Sequence, residues 1–295
     1  MLGWRQCQRT PSLSCADPAA QGPGPASYSL CVKYLEQIVA SHRASVDPGG
    51  VSPELIAAAA SQPPTRGFAA SLKGAGMAVI AECKRKSPSK GALDMNLDPA
   101  GLAREYAAGG ASAISVLTDR DFFGGSPDDL RRARNAISLP VLRKDFTVCP
   151  ADVYQSRAMG ADAILLIVAA LSKAELAELF ALGESLGMDV LVEAHDEAEI
   201  DEALSVGATL IGVNQRDLRT FGVDGVRAEA LAGLIPKHCV KVAESGIEGP
   251  GDVARLGNCG YDAVLVGEHL LVASDRRSAV ADLVAAVPAA PRAAI

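Results

Sequence analysis

Eight times along this chain an apolar, β-type run ends abruptly, most often on a polar residue, and a segment with helical spacing follows. The runs are AVIAEC at Glu82, SAISVLTD at Thr118, LPVLRKDF at Lys144, ADAILLI ending at Ile167, MDVLVEAHD at Glu193, TLIGVNQRDL at Asn214, VKVAESGI at Glu244 and Ser245, and YDAVLVGEHL at Gly267. The helical segments are Pro99 to Ala108, Asp128 to Ala136, Asp152 to Met159, Lys173 to Leu186, Glu197 to Val206, Val226 to Leu234, Gly251 to Leu256 and Asp275 to Val287. Gly109, Gly160, Gly187, Gly207 and Gly260 stand where left-handed helix caps are expected. Eight such units, each too short to be a domain, predict an α/β fold of the closed (β/α)₈ TIM-barrel type, usually about 250 residues long. A doubly wound sheet would place a glycine-rich turn directly after the first strand. None follows Glu82; the phosphate-type glycines come after the seventh and eighth runs.

The first run carries the most chemistry. In AVIAECKRKSPSKG, Ala78 to Gly91, strand alternation points Ile80, Glu82 and Lys84 to one face and Ala81, Cys83 and Arg85 to the other. A carboxylate and an ammonium therefore share a face. A lone Glu-x-Lys at a strand end is more often a surface ion pair, just as a lone Gly246 or Gly267 is a turn glycine and Phe146 a core residue. Their shared position at strand ends is what favours a site. His195 carries no assigned chemistry at this level.

Composition fits one large core. Of 295 residues, 49% are hydrophobic and 21% charged, and the aromatic content of 4% leaves the apolar volume to Ala, Val, Leu and Ile, as in strands buried on both faces. A net charge of −7 argues against nucleic acid as a partner. Local basic residues, Lys84, Arg85, Lys86 and Lys90 with Arg143 and Lys144, suit an anionic small molecule. The seven cysteines form neither a CxxC pair nor a metal-ligand spacing, which predicts reduced thiols. The longest apolar run, Ala163 to Leu171, is too short to cross a bilayer and no signal core is visible, so a soluble cytoplasmic protein without a membrane partner is expected. Nothing in the sequence sets the oligomeric state, and a monomer is consistent with it.

Residues 1 to 27, rich in Gly, Pro, Ser, Ala and Gln, are expected to form a disordered extension, and residues 28–295 a single catalytic barrel domain with its N-terminal helices. The spacing predicts an amphipathic helix from Tyr28 to Ser45 and a short one from Pro53 to Ala60.

The ordered strings AECKRKSPSKG, SVLTDRDFFGGS, VLRKDF, ADAILLI, LVEAHDEAEI, IGVNQRDLRTFGVD, VAESGI and DAVLVGEHLL resemble indole-3-glycerol phosphate synthase over roughly Leu30 to Leu271. The resemblance implies conversion of 1-(2-carboxyphenylamino)-1-deoxyribulose 5-phosphate to indole-3-glycerol phosphate, carbon dioxide and water in tryptophan biosynthesis, with no metal and no organic cofactor. It implies Lys144 as general acid at the ketone, with Glu193, Glu82 and Lys84 sharing the second acid and the base. It implies further that Ser245, Gly246, Gly267 and Glu268 hold the phosphate through backbone N–H groups. Ser87, Asn214 and Arg216 would meet the rest of the substrate, and Phe123, Phe146, Leu165 and Leu218 would wall the aromatic ring. Gln215, Asp217, Cys149 and His269 depart from the family's usual residues and put binding geometry, more than activity, in question. Two other readings stand beside this one: a barrel isomerase such as phosphoribosylanthranilate isomerase, which uses a Cys and Asp pair, and a non-catalytic phosphate-ligand binder.

Overall fold

The computed structural model describes residues 25–46, 49–74, 76–87, 90–217 and 222–287, with side chains from Tyr34 onward. Eight parallel strands close into a barrel: β1 (Ala78–Cys83), β2 (Ala113–Leu117), β3 (Val141–Lys144), β4 (Ala163–Ile167), β5 (Asp189–Ala194), β6 (Leu210–Asn214), β7 (Val240–Glu244) and β8 (Ala263–Val266). Closure is made by β1, which pairs with β2 through Ile80↔Ala113 and with β8 through Ala78↔Ala263. Each strand leads into a helix, in order Pro99–Ala108, Pro127–Ala136, Pro150–Met159, Lys173–Ser185, Glu197–Ser205, Arg227–Leu231, Pro250–Asn258 and Arg276–Ala285. The expected TIM barrel is therefore present.

The helix starts follow from local chemistry. Proline occupies the first turn of four of these helices, where its missing N–H costs nothing. Ser126, Asp196 and Asp98 cap the following N–H groups, and Ser172 with Glu175 forms a capping box. Gly160, Gly187, Gly207 and Gly260 have the positive φ expected of caps. Gly109 does not: at φ −79° it remains right-handed, and the left-handed turn falls one residue later, on Gly110 at φ +96°. The reason it must still be glycine is steric, since a Cβ there would lie 2.6 Å from the Arg277 carbonyl oxygen.

Strand alternation divides the core in two. Val79, Ala81, Cys83, Val116, Ile164 and Val192 face outward against the helices, whereas Ile80, Leu142, Leu165, Leu191, Val242 and Leu265 fill the barrel interior. The N-terminal end is plugged by Phe68 and Leu72, both fully buried. That end is tied by Asp162, fully buried, which accepts from the Arg134 guanidinium at 3.2 and 2.9 Å, from Arg66 N at 2.9 Å and from Val141 N at 2.8 Å. At the other end the apolar packing stops. The inward positions two residues beyond Ile80, Leu142, Leu191, Gly212 and Val242 are Glu82, Lys144, Glu193, Asn214 and Glu244.

A 20-residue helix, Pro25–Ala44, lies ahead of the barrel. It starts inside the stretch read from sequence as a disordered extension, because Pro25 can open a helix whose later turns pack on the barrel; residues 1–24 lie outside the described residues. Tyr34 stacks edge-on with Phe122 at 5.7 Å, and Arg43 pairs with Glu175 at 2.6 Å. The short helix Pro53–Ala60 forms as expected, capped by Ser52.

Candidate active site

The C-terminal ends of the strands surround a cavity of about 570 Å³. Glu82, Lys84, Lys144 and Glu193 line it together with Ser87, Phe123, Phe146, Leu165, Asn214, Arg216, Ser245, Gly246, Gly267 and Glu268. Of the residues singled out from sequence, Leu218 lies outside the described residues.

At the cavity floor the Lys144 ammonium stands between two carboxylates, 3.2 Å from Glu193 Oε2 and 3.3 Å from Glu244 Oε2. Burial works against the ammonium, but the charges of Glu193, Glu244 and Glu82 raise its pKa above the ordinary lysine value. The two carboxyls diverge. Burial alone would raise Glu193, yet Lys144, His195 and a 3.0 Å hydrogen bond from Asn214 Nδ2 hold it below the usual carboxylate range. Glu244 receives no hydrogen bond on either oxygen among the described residues. Burial, reinforced by the charges of Glu193 and Glu82 and opposed by Lys144, pushes it up to about 8. The floor thus holds a cation, a carboxylate and a carboxylic acid side by side at neutral pH, which is the equipment of general acid–base chemistry.

Glu244 belongs to this cluster although sequence reasoning did not place it in the site. Its signal was visible as the same period-two step, Val240, Val242, Glu244, that brings Glu82 inward. Room for it comes from Gly212, where a Cβ would collide with Glu244 Oε1. On β1, Lys84 Nζ pairs with Glu82 Oε1 at 2.8 Å. Gly267 lies against this pair: a Cβ there would sit 2.6 Å from Glu82 Oε1 and 3.0 Å from Lys84 Nζ, so its glycine requirement is steric, its φ being −112°.

After β7, Ser245 and Gly246 adopt successive left-handed conformations, φ 66° and 68°, and Ser245 is the one non-glycine among the described residues to do so. Gln215 supports this turn by donating to the Ser245 carbonyl at 2.8 Å. Two consecutive turned amides of this kind make a concave N–H surface suited to an anion. The Glu268 side chain cannot serve an anion directly; it pairs with Lys90 at 2.5 Å and so holds that cation at the cavity rim. Among the other basic residues, Arg85 and Arg143 do not face the cavity. Alternation turns both outward, where Arg85 pairs with Asp129 at 2.7 Å and Arg143 with Asp145 at 2.9 Å, and Lys86 donates to the Asp121 carbonyl.

Phe123 and Phe146, expected from sequence to wall the aromatic ring, lie with centroids 6.3 Å apart on one side of the cavity that Leu165 also lines. Behind Phe146 sits His42 of the N-terminal helix, 5.5 Å away, its Nε2 2.9 Å from Asp119 Oδ2. His42, Asp119 and Asp145 bring potential ligand atoms within 4.8 Å of one another. Their oxygens are nonetheless committed: Asp119 accepts from Phe122 and Phe123 N–H groups, and Asp145 from Thr118, Arg143 and Phe146. The group therefore acts as a latch between helix and barrel.

The sequence model of the indole-3-glycerol phosphate synthase family matches residues 35–283. The chain belongs to the indole-3-glycerol phosphate synthase family. It is 52% identical over 233 residues to the indole-3-glycerol phosphate synthase of Streptomyces griseus, covering 79% of this chain and 87% of that one. To the enzyme of the same name from Beutenbergia cavernae it is 54% identical over 210 residues, 71% and 78% of the two chains. Among solved structures, thiamine phosphate pyrophosphorylase from Pyrococcus furiosus superposes with a TM-score of 0.53 at 16% identity, covering 71% of this chain and 94% of that one; this likeness is one of fold alone. Membership in the family sets aside the barrel isomerase as the closer reading, as does a floor built from Lys and Glu in place of Cys and Asp.

Proposed function

We infer that this protein is an indole-3-glycerol phosphate synthase, a carboxy-lyase of tryptophan biosynthesis, and that the floor cluster performs the reaction. The observation that carries the assignment of chemistry is the position of Lys144 between Glu193 and Glu244 at the base of a cavity with an aromatic wall on one side and an anion-suited turn on the other. The substrate's anthranilate ring would stack along Phe123 and Phe146, and its phosphate would lie at the β7 and β8 ends near Ser245, Gly246, Gly267 and Glu268 N–H groups. That orientation brings the ketone over Lys144.

Ring closure requires a proton on the ketone oxygen as the aromatic carbon attacks, and Lys144, kept charged by its carboxylate neighbours, is the donor at hand. Carbon dioxide then leaves and its bonding pair neutralises the ring nitrogen. Dehydration follows: a base removes the proton from the carbon beside the nitrogen, and an acid protonates the departing hydroxyl. Glu193, ionised, suits the base, while Glu244, protonated at neutral pH, and the Glu82–Lys84 pair suit the acid. Asn214 orients Glu193 for this work, and Ser87 and Arg216 close the cavity around the substrate's polar groups. The substrate class is a small anionic phosphate ester, and the reaction belongs in the cytoplasm; no helix among the described residues is long and apolar enough to cross a membrane.

The test is to give the purified protein the carboxyphenylamino deoxyribulose phosphate and follow indole fluorescence and trapped carbon dioxide together. Equal amounts of both are expected. Fluorescence without carbon dioxide, or neither, would overturn the assignment.

A further inference from the structure

His195 stands just beyond β5, two residues after Glu193, and the mechanism above leaves it unused. Its ring is largely buried, and each nitrogen faces a carboxylate. Nδ1 lies 2.9 Å from Glu199 Oε2, which also accepts the His195 backbone N–H at 2.7 Å, so Glu199 clamps both ring and backbone. Nε2 lies 3.5 Å from Glu193 Oε1 and has no hydrogen-bond partner among the described residues. A carboxylate only accepts, so the ring form that can present a hydrogen to both neighbours is the imidazolium. Behind the ring is a second cavity of about 130 Å³, separate from the first. The charged groups facing it are Asp196, Glu199, Asp217 and Arg227, and the N-terminal helix contributes Leu35. Asp196 is exposed, and this second cavity shares no lining residue with the first.

We propose that His195 is a positioning residue: clamped by Glu199 and turning its second ring hydrogen toward Glu193, it keeps Glu193 ionised, so that Glu193 is the base of the cluster and the transferable protons sit on Lys144 and Glu244. This rests on the reaction assigned above. In that reaction one proton goes to the ketone oxygen, one to the departing hydroxyl, and one returns from the ring carbon, while the carboxylate departs as neutral carbon dioxide; the balance is one proton taken up per turnover. A cluster that must gain a proton each cycle works only if that proton is kept off its base. An imidazolium beside Glu193, on the face opposite the substrate, does this. The charges of Glu193 and Glu199 favour its protonated form against burial and Arg227.

The experiment compares wild type with His195→Gln, which fills the same space and can hydrogen-bond Glu199 but carries no charge, and with His195→Ala and Glu199→Gln. Turnover and KM are measured across the neutral and mildly alkaline range, with folding checked by melting. His195→Gln is expected to lower kcat at neutral pH at least about 10-fold with KM within about twofold, and to keep only the alkaline decline that Glu244 sets, losing the further one that wild type shows as the ring deprotonates. Added imidazole should restore part of the His195→Ala rate and added pyrazole, a far weaker base of similar shape, should not. Wild-type kcat and an unchanged pH profile in His195→Gln would overturn the proposal. If neither His195 variant folds, Glu199→Gln decides: its alkaline decline should move to lower pH, and an unmoved profile overturns the proposal. An inert wild type would instead refute the assigned reaction.

Discussion

Glu244→Gln separates the unusual carboxyl of the floor from its neighbours, and its effect can be worked out before any assay of activity. The side chain is 2% exposed, unhydrogen-bonded and held up to about 8, against 4.5 for an ordinary glutamate. A carboxyl whose folded-state pKa is raised binds its proton more tightly when folded, so its contribution to stability is complete at low pH and is lost as pH climbs from about 4.5 to about 8. Each unit corresponds to about 1.4 kcal/mol. At pH 7 the loss is about 3 kcal/mol, and above pH 8 it levels near 5 kcal/mol. Glutamine mimics the neutral acid and escapes the loss. The variant should match wild type near pH 4.5 and melt higher by roughly 6 °C at pH 7, as a domain of this size shifts at least about 2 °C per kcal/mol. Melting curves of both proteins between pH 4.5 and pH 9 give the answer. A difference that does not grow with pH would mean that Glu244 is ionised beside Lys144, and the division of proton states on the floor would be wrong.

Removing the four hydrogen bonds gathered by Asp162 with Asp162→Ala should cost about 3–5 kcal/mol, read by denaturant unfolding, because Arg134 is left buried and unpaired; a loss below about 1 kcal/mol would show that the N-terminal end is held otherwise. Gly267→Ala should displace Glu82 and Lys84 from their 2.8 Å contact and lower kcat/KM about 10-fold or more with little change in melting temperature, and unimpaired kinetics would remove that pair from the mechanism.

The barrel was legible because one physical rule, burial of both strand faces, repeats eight times and leaves the same mark each time. The same alternation correctly sent Glu82 and Lys84 inward and Cys83 and Arg85 outward. It would have rescued Glu244 and rejected Arg143 as a ligand of the substrate, since both follow from counting by two along β7 and β3. Gly267 and Gly212 were not legible as steric gaps, because what their missing Cβ atoms avoid is contributed by neighbouring strands distant in sequence. The same is true of His42, whose partners Asp119 and Asp145 come from loops 77 residues and more away, and of His195, whose meaning depends on a cavity that only the assembled fold encloses. Gly109 shows the limit of local rules: the cap glycine and the left-handed residue were neighbours, and the sequence motif alone does not tell them apart.

The central claim is that Lys144, braced by Glu193 and Glu244, donates the proton that drives ring closure. Its most direct test is the turnover of Lys144→Ala on the carboxyphenylamino deoxyribulose phosphate, measured beside the affinity of the folded variant for the same substrate. Turnover should fall at least about 100-fold while affinity stays within a modest factor, since a positioned acid contributes about 10² to 10⁴ and the phosphate and ring contacts remain. Near-normal turnover in that variant would contradict the account.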